Sequence, residues 1–140
     1  MFFEGSNDLS TIYVNGDYPN ANQEQGTLSI ETNSPVVGTP VNKRGWTTGR
    51  TFGYVMSTNF HSTFIDHYGL YRSIANMEWA SFDCDEGDSG GIVYTYYSNL
   101  NKRYTTGIIS GTVMNNLNVF MGGFYTKANL AIERLGIERY

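Results

Sequence analysis

The chain is short of several things that define other classes of protein. It has one cysteine in 140 residues, Cys84, so an internal disulfide is impossible and the fold must rest on its core and its hydrogen bonds. Histidine occurs only as His61 and His67, six residues apart and without a cysteine pair, so no metal ion and no other cofactor is expected. Basic residues number 9 against 13 acidic ones, a formal charge of −4, which argues against a nucleic-acid partner held by phosphate neutralisation. No apolar run approaches the ~20 residues that cross a bilayer, so no membrane partner is expected either. The start, Met1-Phe2-Phe3-Glu4-Gly5, lacks the basic residues and the roughly 7–15-residue apolar stretch of a secretory signal. Length sets a further bound, because 140 residues hold one barrel or sandwich whereas two-barrel all-β chains usually run to about 200–250.

What is abundant points to strands and turns. Sixteen glycines, eleven tyrosines and eight phenylalanines make a mostly β protein. Thr11 to Val14 reads as a short strand closed by Asn15-Gly16-Asp17. The polar stretch from Asn20 to Pro40, interrupted only by Leu28-Ser29-Ile30, reads as a connector. Alternating residues around Val37, Val41 and Thr47–Val55, punctuated by Gly45, Gly49 and Gly53, predict several short strands. Tyr68–Met77 is expected to be extended, Ile92–Tyr97 a strand, Ser98–Lys102 a hairpin turn and Thr105–Val113 the returning strand. Only Lys127–Leu135 has helical spacing, with Gly136 placed to end it in the left-handed conformation.

One string carries chemistry. Glu86-Gly87-Asp88-Ser89-Gly90-Gly91 immediately precedes the strand at Ile92, and a given five-residue string arises by chance in such a chain roughly once in tens of thousands. Acyl transfer needs an exposed hydroxyl and two backbone N–H donors within about 3 Å of the developing oxyanion. Ser89 supplies a hydroxyl at a tight turn, the amides of Gly87 and Ser89 supply donors, and Gly87 leaves room for a substrate carbonyl. Asp88 is expected to point inward, where a buried carboxylate must find a cation or several donors.

These residues, with Val37-Gly38 to Val41, Gly45-Trp46-Thr47-Thr48-Gly49, Thr106-Gly107-Ile108-Ile109-Ser110-Gly111 and Gly123-Phe124-Tyr125-Thr126, resemble the chymotrypsin-like serine peptidases, in particular the bacterial streptogrisin and α-lytic branch. The likeness covers about 105 residues from Val36 onward. It implies an all-β fold: a six-stranded antiparallel barrel with a C-terminal helix over 36–140, preceded by a connector over 20–35 and a remnant of a first barrel over 1–19. It implies a serine endopeptidase acting on polypeptides through an acyl-enzyme on Ser89, secreted or at the cell surface. Asp8, ahead of the strand Ile12-Tyr13-Val14, matches the place of the triad aspartate and precedes Ser89 as that family's order requires, although an ordinary turn aspartate has the same local look.

The same resemblance puts the general-base histidine upstream of the aspartate, and only seven residues precede Asp8 here. Without a base the serine hydroxyl is a weak nucleophile, so this chain by itself is expected to be nearly inactive. His61 and His67 fall in a hairpin; Asp66 and His67 are adjacent, so in a strand they point to opposite faces and do not form an orienting pair. Lys43 stands where the bacterial branch carries a basic partner for Asp88. Ser110, Gly111 and Thr112 match the strand that pairs with substrate, and Phe82, Asp83 and Gly123 the pocket wall. Thr112 replaces a common glycine and narrows the pocket mouth, and Ile109 occupies the place of a histidine in glutamyl-specific relatives. Cys84 looks like half of a family disulfide whose partner is missing, hence a free structural cysteine. Two alternatives stay open: a catalytically inactive binding or scaffolding protein of peptidase descent, and a chain completed by the missing first-barrel segment or by another copy of itself.

Overall fold

In the computed structural model, residues 28–136 are described. The strand read at Thr11–Val14, the first-barrel remnant and Asp8 lie outside those residues. Seven strands and one helix follow in order: β1 (Leu28–Thr32), β2 (Pro40–Gly45), β3 (Gly49–Ile65), β4 (Tyr71–Ala80), β5 (Ile92–Tyr97), β6 (Lys102–Met114), β7 (Phe120–Lys127) and α1 (Ala128–Leu135). The sheet runs β1-β6-β5-β2-β3-β4-β7, and a further β6–β7 pairing closes the six antiparallel strands β2–β7 into a barrel. Closure gives each of those six strands a neighbour on both sides along part of its length, which removes most of the open sheet edge that invites aggregation.

Alternation decides which side chains go inside. Val41, Val55, Ala80, Phe82, Cys84, Val93, Ile109 and Tyr125 form one buried cluster in the barrel interior. Each fully buried Val or Ile there contributes roughly 1.5–3 kcal/mol relative to exposure. Phe82 and Tyr125 stack with ring centroids 6.1 Å apart.

Two stretches differ from what the pattern suggests. Thr47–Val55 does not break into short strands: Thr47 and Thr48 belong to the turn after β2, and Gly49–Val55 opens the 17-residue β3, whose Phe52, Tyr54 and Met56 face outward while Gly53 and Val55 face in. The aromatic Phe52 and Tyr54 signal strand propensity rather than burial. Inside the stretch read as a connector, β1 pairs in parallel with β6, Leu28 opposite Arg103 and Thr32 opposite Thr105. Asn33 then locks the chain to the barrel: its amide nitrogen donates to Thr95 Oγ1 at 2.6 Å, and its amide oxygen accepts from Thr106 Oγ1 at 2.8 Å.

The β3–β4 hairpin ends in a turn built on Asp66. Its Oδ1 accepts the N–H groups of Tyr68 and Leu70 at 2.9 and 3.0 Å, and its Oδ2 accepts Arg72 Nε at 2.8 Å. The Arg72 hydrogen bond, helped by the Leu70 and Tyr68 amides, holds the Asp66 carboxyl below the usual range. Helix α1 stops at Gly136, which adopts the left-handed conformation at φ 60° and donates its N–H to the Ile132 carbonyl.

Candidate active site

The Glu86–Gly91 string forms the loop entering β5, and its geometry is organised around Asp88. That side chain is fully buried, and five donors converge on it: Thr47 N at 2.8 Å and Thr48 N at 3.0 Å on Oδ1, then Thr48 Oγ1 at 2.6 Å, Asp85 N at 3.1 Å and Lys43 Nζ at 3.0 Å on Oδ2. Burial opposes its charge, yet the Thr48 hydroxyl and amide, the Asp85 amide and Lys43 outweigh that cost and hold the carboxyl below its ordinary value. Lys43 is fully buried as well; its ammonium also donates to the Thr48 hydroxyl and to the Gly49 carbonyl, the latter at 2.9 Å. The structure therefore brings Lys43 and Asp88 together, and shows that most of the donors come from the Thr47-Thr48 turn between β2 and β3.

With Asp88 anchored inward, its neighbour turns outward. Ser89 is exposed, and its Oγ lies 3.5 Å from the Ser110 carbonyl oxygen. Gly87 has φ +96°, a conformation that side chains rarely adopt. Among the described residues the N–H groups of Gly87 and Ser89 take no acceptor, whereas those of the flanking Asp88, Gly90 and Gly91 are bonded to Asp85, Ile109 and Asp88 carbonyls. Two main-chain donors thus remain available beside an outward hydroxyl.

Ser110, Gly111 and Thr112 sit on β6 next to Ser89. There β6 pairs with β7 but has passed the end of its pairing with β5 at Ile108, so among the described residues one edge of this segment has no strand neighbour. The Ser110 hydroxyl lies 3.3 Å from Thr126 Oγ1 on β7. Gly111 stands against the Phe124 ring, where a Cβ would come within 2.8 Å of it. Gly123 packs on Phe82 and Cys84. Phe82 itself is fully buried in the barrel core, while Asp83 is exposed and its carbonyl accepts from Thr51 Oγ1 at 2.6 Å.

Cys84 is a free, buried thiol. Burial first, then the Asp88 charge, pushes it up to about 11, which leaves almost no thiolate near neutral pH. His61, on β3, and His67, at the hairpin turn, are both exposed, and among the described residues neither makes a hydrogen bond to Ser89. His67 packs against Tyr68, ring centroids 3.8 Å apart, and Asp66 is committed to the turn and Arg72 rather than to imidazole.

A closed six-stranded barrel with this loop at one end and a C-terminal helix is the fold of the bacterial chymotrypsin-like serine proteases. Among solved structures, a Nocardiopsis protease superposes with a TM-score of 0.66 at 21% identity, over 95% of this chain and 60% of that one. A glutamic-acid-specific serine protease that uses a histidine triad in substrate binding gives 0.65 at 24%, over 91% and 64%. Thermobifida fusca protease A gives 0.61 at 22%, over 84% and 56%. The chain therefore spans less than two thirds of the length of each of these proteases. No protein-family model and no curated protein matches the sequence.

Proposed function

We propose that this chain carries the nucleophile-bearing barrel of a serine endopeptidase of chymotrypsin-like type. Ser89 is the nucleophile, the N–H groups of Gly87 and Ser89 form the oxyanion hole, and Asp8 orients a general-base histidine supplied by a first-barrel segment rather than by His61 or His67. In the reaction, Ser89 Oγ bonds to the scissile carbonyl carbon as its proton passes to the base. The C–N bond then breaks, the base returns the proton to the leaving amine, and water hydrolyses the acyl-enzyme. The free edge of Ser110–Thr112 pairs with an extended polypeptide substrate, and Phe82, Asp83 and Gly123 belong to the wall beneath it. Buried Lys43 and Asp88 form the ion pair that keeps the loop in this shape. The resemblance of the Glu86–Gly91 loop and its barrel to the bacterial streptogrisin and α-lytic branch favours a secreted or cell-surface protein.

The observation that carries this reading is the pair of uncommitted amides at Gly87 and Ser89 beside an exposed hydroxyl. Preorganised donors of this kind are worth about 10²–10³ in rate each. A fluorophosphonate probe tests it, because phosphonylation requires an activated serine. The chain joined to a histidine-bearing first barrel should label at Ser89, lose the label in Ser89→Ala, and react far more slowly without that barrel. Absence of labelling at Ser89 in the completed protein overturns the proposal and favours a second reading: a binding or scaffolding protein that keeps the barrel and the groove. That alternative draws on the lack of any histidine bonded to Ser89 among the described residues.

A further inference from the structure

The open edge of Ser110–Thr112 is bordered by more than the side chains of β6, because β7 reaches it from behind. In the pairing of these two strands Gly111 lies opposite Phe124 and Thr112 opposite Gly123. Tyr125, the next residue of β7, is wholly buried in the core, and successive strand residues point to opposite faces, so Phe124 stands on the outer face of the barrel. Its ring lies over Gly111: a Cβ there would meet Phe124 Cε1 at 2.8 Å and Cζ at 2.9 Å, but Cδ1 at 3.8 Å. The ring atoms farthest from the β7 backbone are thus nearest to Gly111, and the ring points from β7 across β6 toward the edge that has no strand neighbour among the described residues. Glycine at 111 permits that reach, since any side chain there would occupy the same space.

The ring is braced from the other side. Phe60 on β3 packs against it with centroids 5.4 Å apart, and Trp79 on β4, opposite Phe124 in the sheet, lies 6.3 Å from Phe60. The Trp79 indole N–H donates to the Met121 carbonyl at 3.4 Å. Phe124 itself stays half-buried, so part of a fixed apolar ring remains in contact with water.

Strand geometry decides which substrate residue meets it. Ser89 Oγ lies 3.5 Å from the Ser110 carbonyl oxygen, so the residue whose carbonyl is attacked pairs with Ser110. The edge at Ile109 is already taken, its N–H donating to the Gly91 carbonyl and its carbonyl accepting the Gly90 N–H. The substrate residues before the attacked one therefore run toward Gly111 and Thr112, antiparallel to β6. Directly opposite residues of an antiparallel pair put their side chains on the same face. The residue opposite Gly111 thus projects onto the outer face, where Gly111 offers no side chain and the Phe124 ring stands in its place.

We propose that Phe124 is a specificity-determining residue, its ring selecting an apolar side chain on the substrate residue immediately before the one whose carbonyl Ser89 attacks. The inference deepens the proposed function and rests on its placing of the substrate along Ser110–Thr112. A charged side chain at that position gives up water against the ring without gaining a partner, and glycine leaves the ring uncovered.

Titration of the ¹⁵N-labelled chain with acetyl-Ala-Ala-Xaa-Leu peptides that end in a free carboxylate, followed by NMR, tests it without requiring a reactive Ser89. Peptides with phenylalanine or leucine at Xaa should bind about tenfold more tightly than those with glycine or aspartate, the worth of partly burying one apolar side chain, and should shift the amides of Gly111 and Phe124. Moving the phenylalanine one place toward the N-terminus, as acetyl-Ala-Phe-Gly-Leu, should cancel the gain. In Phe124→Ala the phenylalanine and leucine peptides should bind no better than the glycine one. Because the peptide series is read on the unaltered chain, a folding defect in the variant does not shield the idea. Equal affinities across the series, the same gain at the neighbouring position, or no saturable binding of the phenylalanine and leucine peptides would each overturn it. Fluorophosphonate labelling judges the reactivity of Ser89 separately, so failure of the catalytic reading and failure of this one give different results.

Discussion

Lys43 Nζ lies 3.0 Å from Asp88 Oδ2, and both side chains are wholly removed from water. Two charges buried together are tolerated only where each is paired and hydrogen-bonded, and the Thr47-Thr48-Gly49 turn supplies the remaining partners on both sides. The ion pair thus ties the start of the barrel, β2, to the loop that presents Ser89.

Removing the cation alone should be costly. Lys43→Met leaves Asp88 charged and buried with one partner fewer, and is expected to destabilise the chain by about 3–5 kcal/mol in urea unfolding. A cost below about 1 kcal/mol would mean that the pair is not closed in solution.

Acid should release the same anchor. The folded-state carboxyl of Asp88 is depressed, so its contribution is present above the ordinary carboxylate value and is lost as pH falls through the lower, folded-state one. The unfolding midpoint should therefore fall steeply below about pH 4, and Asp88→Asn should flatten that limb. An unchanged acid limb in the variant would contradict the assignment.

Glu78 has the opposite sign. Its folded-state carboxyl is raised, so the stability associated with it is present below the ordinary value and is lost as pH climbs through the raised one. The unaltered chain should lose stability between mildly acidic and neutral pH relative to Glu78→Gln, and paired denaturation curves over that range measure the difference.

A methyl group at Gly45 has no room. Its Cβ would stand 2.4 Å from Asp88 Oδ1. Gly45→Ala should therefore push the carboxylate off the Thr47 and Thr48 amides, cost about 1–3 kcal/mol in stability, and slow any phosphonylation of Ser89 by disordering its loop. Thermal unfolding and probe labelling read the two effects separately.

Cys84 should be chemically silent in the folded chain. With the thiol pushed up to about 11, its thiolate fraction at pH 8 is roughly two hundredfold below that of a free cysteine, and burial slows access further. Iodoacetamide should modify it quickly only in denaturant; rapid modification of the native chain would refute this.

Much of the fold was legible because its signals are local. Ile92–Tyr97, the turn after it and the returning strand announce a hairpin within some twenty residues, and the helix before Gly136 is set by spacing and a stop residue. Resemblance extended this to the closed barrel. The 17-residue β3 was harder to see, since its outward aromatics look like core residues in sequence, and the parallel β1–β6 pairing joins segments about 75 positions apart. At the candidate site, Glu86–Gly91 stands out because its residues are contiguous. The donors to Asp88 from Thr47 and Thr48 come from forty positions away, and an exposed threonine turn carries no mark of that task.

By itself, the order of residues determined the strand-rich character of the chain, the hairpin and helix near its end, and the presence of a Gly-Asp-Ser-Gly turn, because each depends on backbone preferences of neighbours. Tertiary structure alone decided that Asp88 is anchored, that among the described residues the Gly87 and Ser89 amides stay uncommitted, and that Glu78 is buried beside Tyr125. Burial and hydrogen-bond supply at a point in space come from strands far apart in the chain, and only folding brings them to one place.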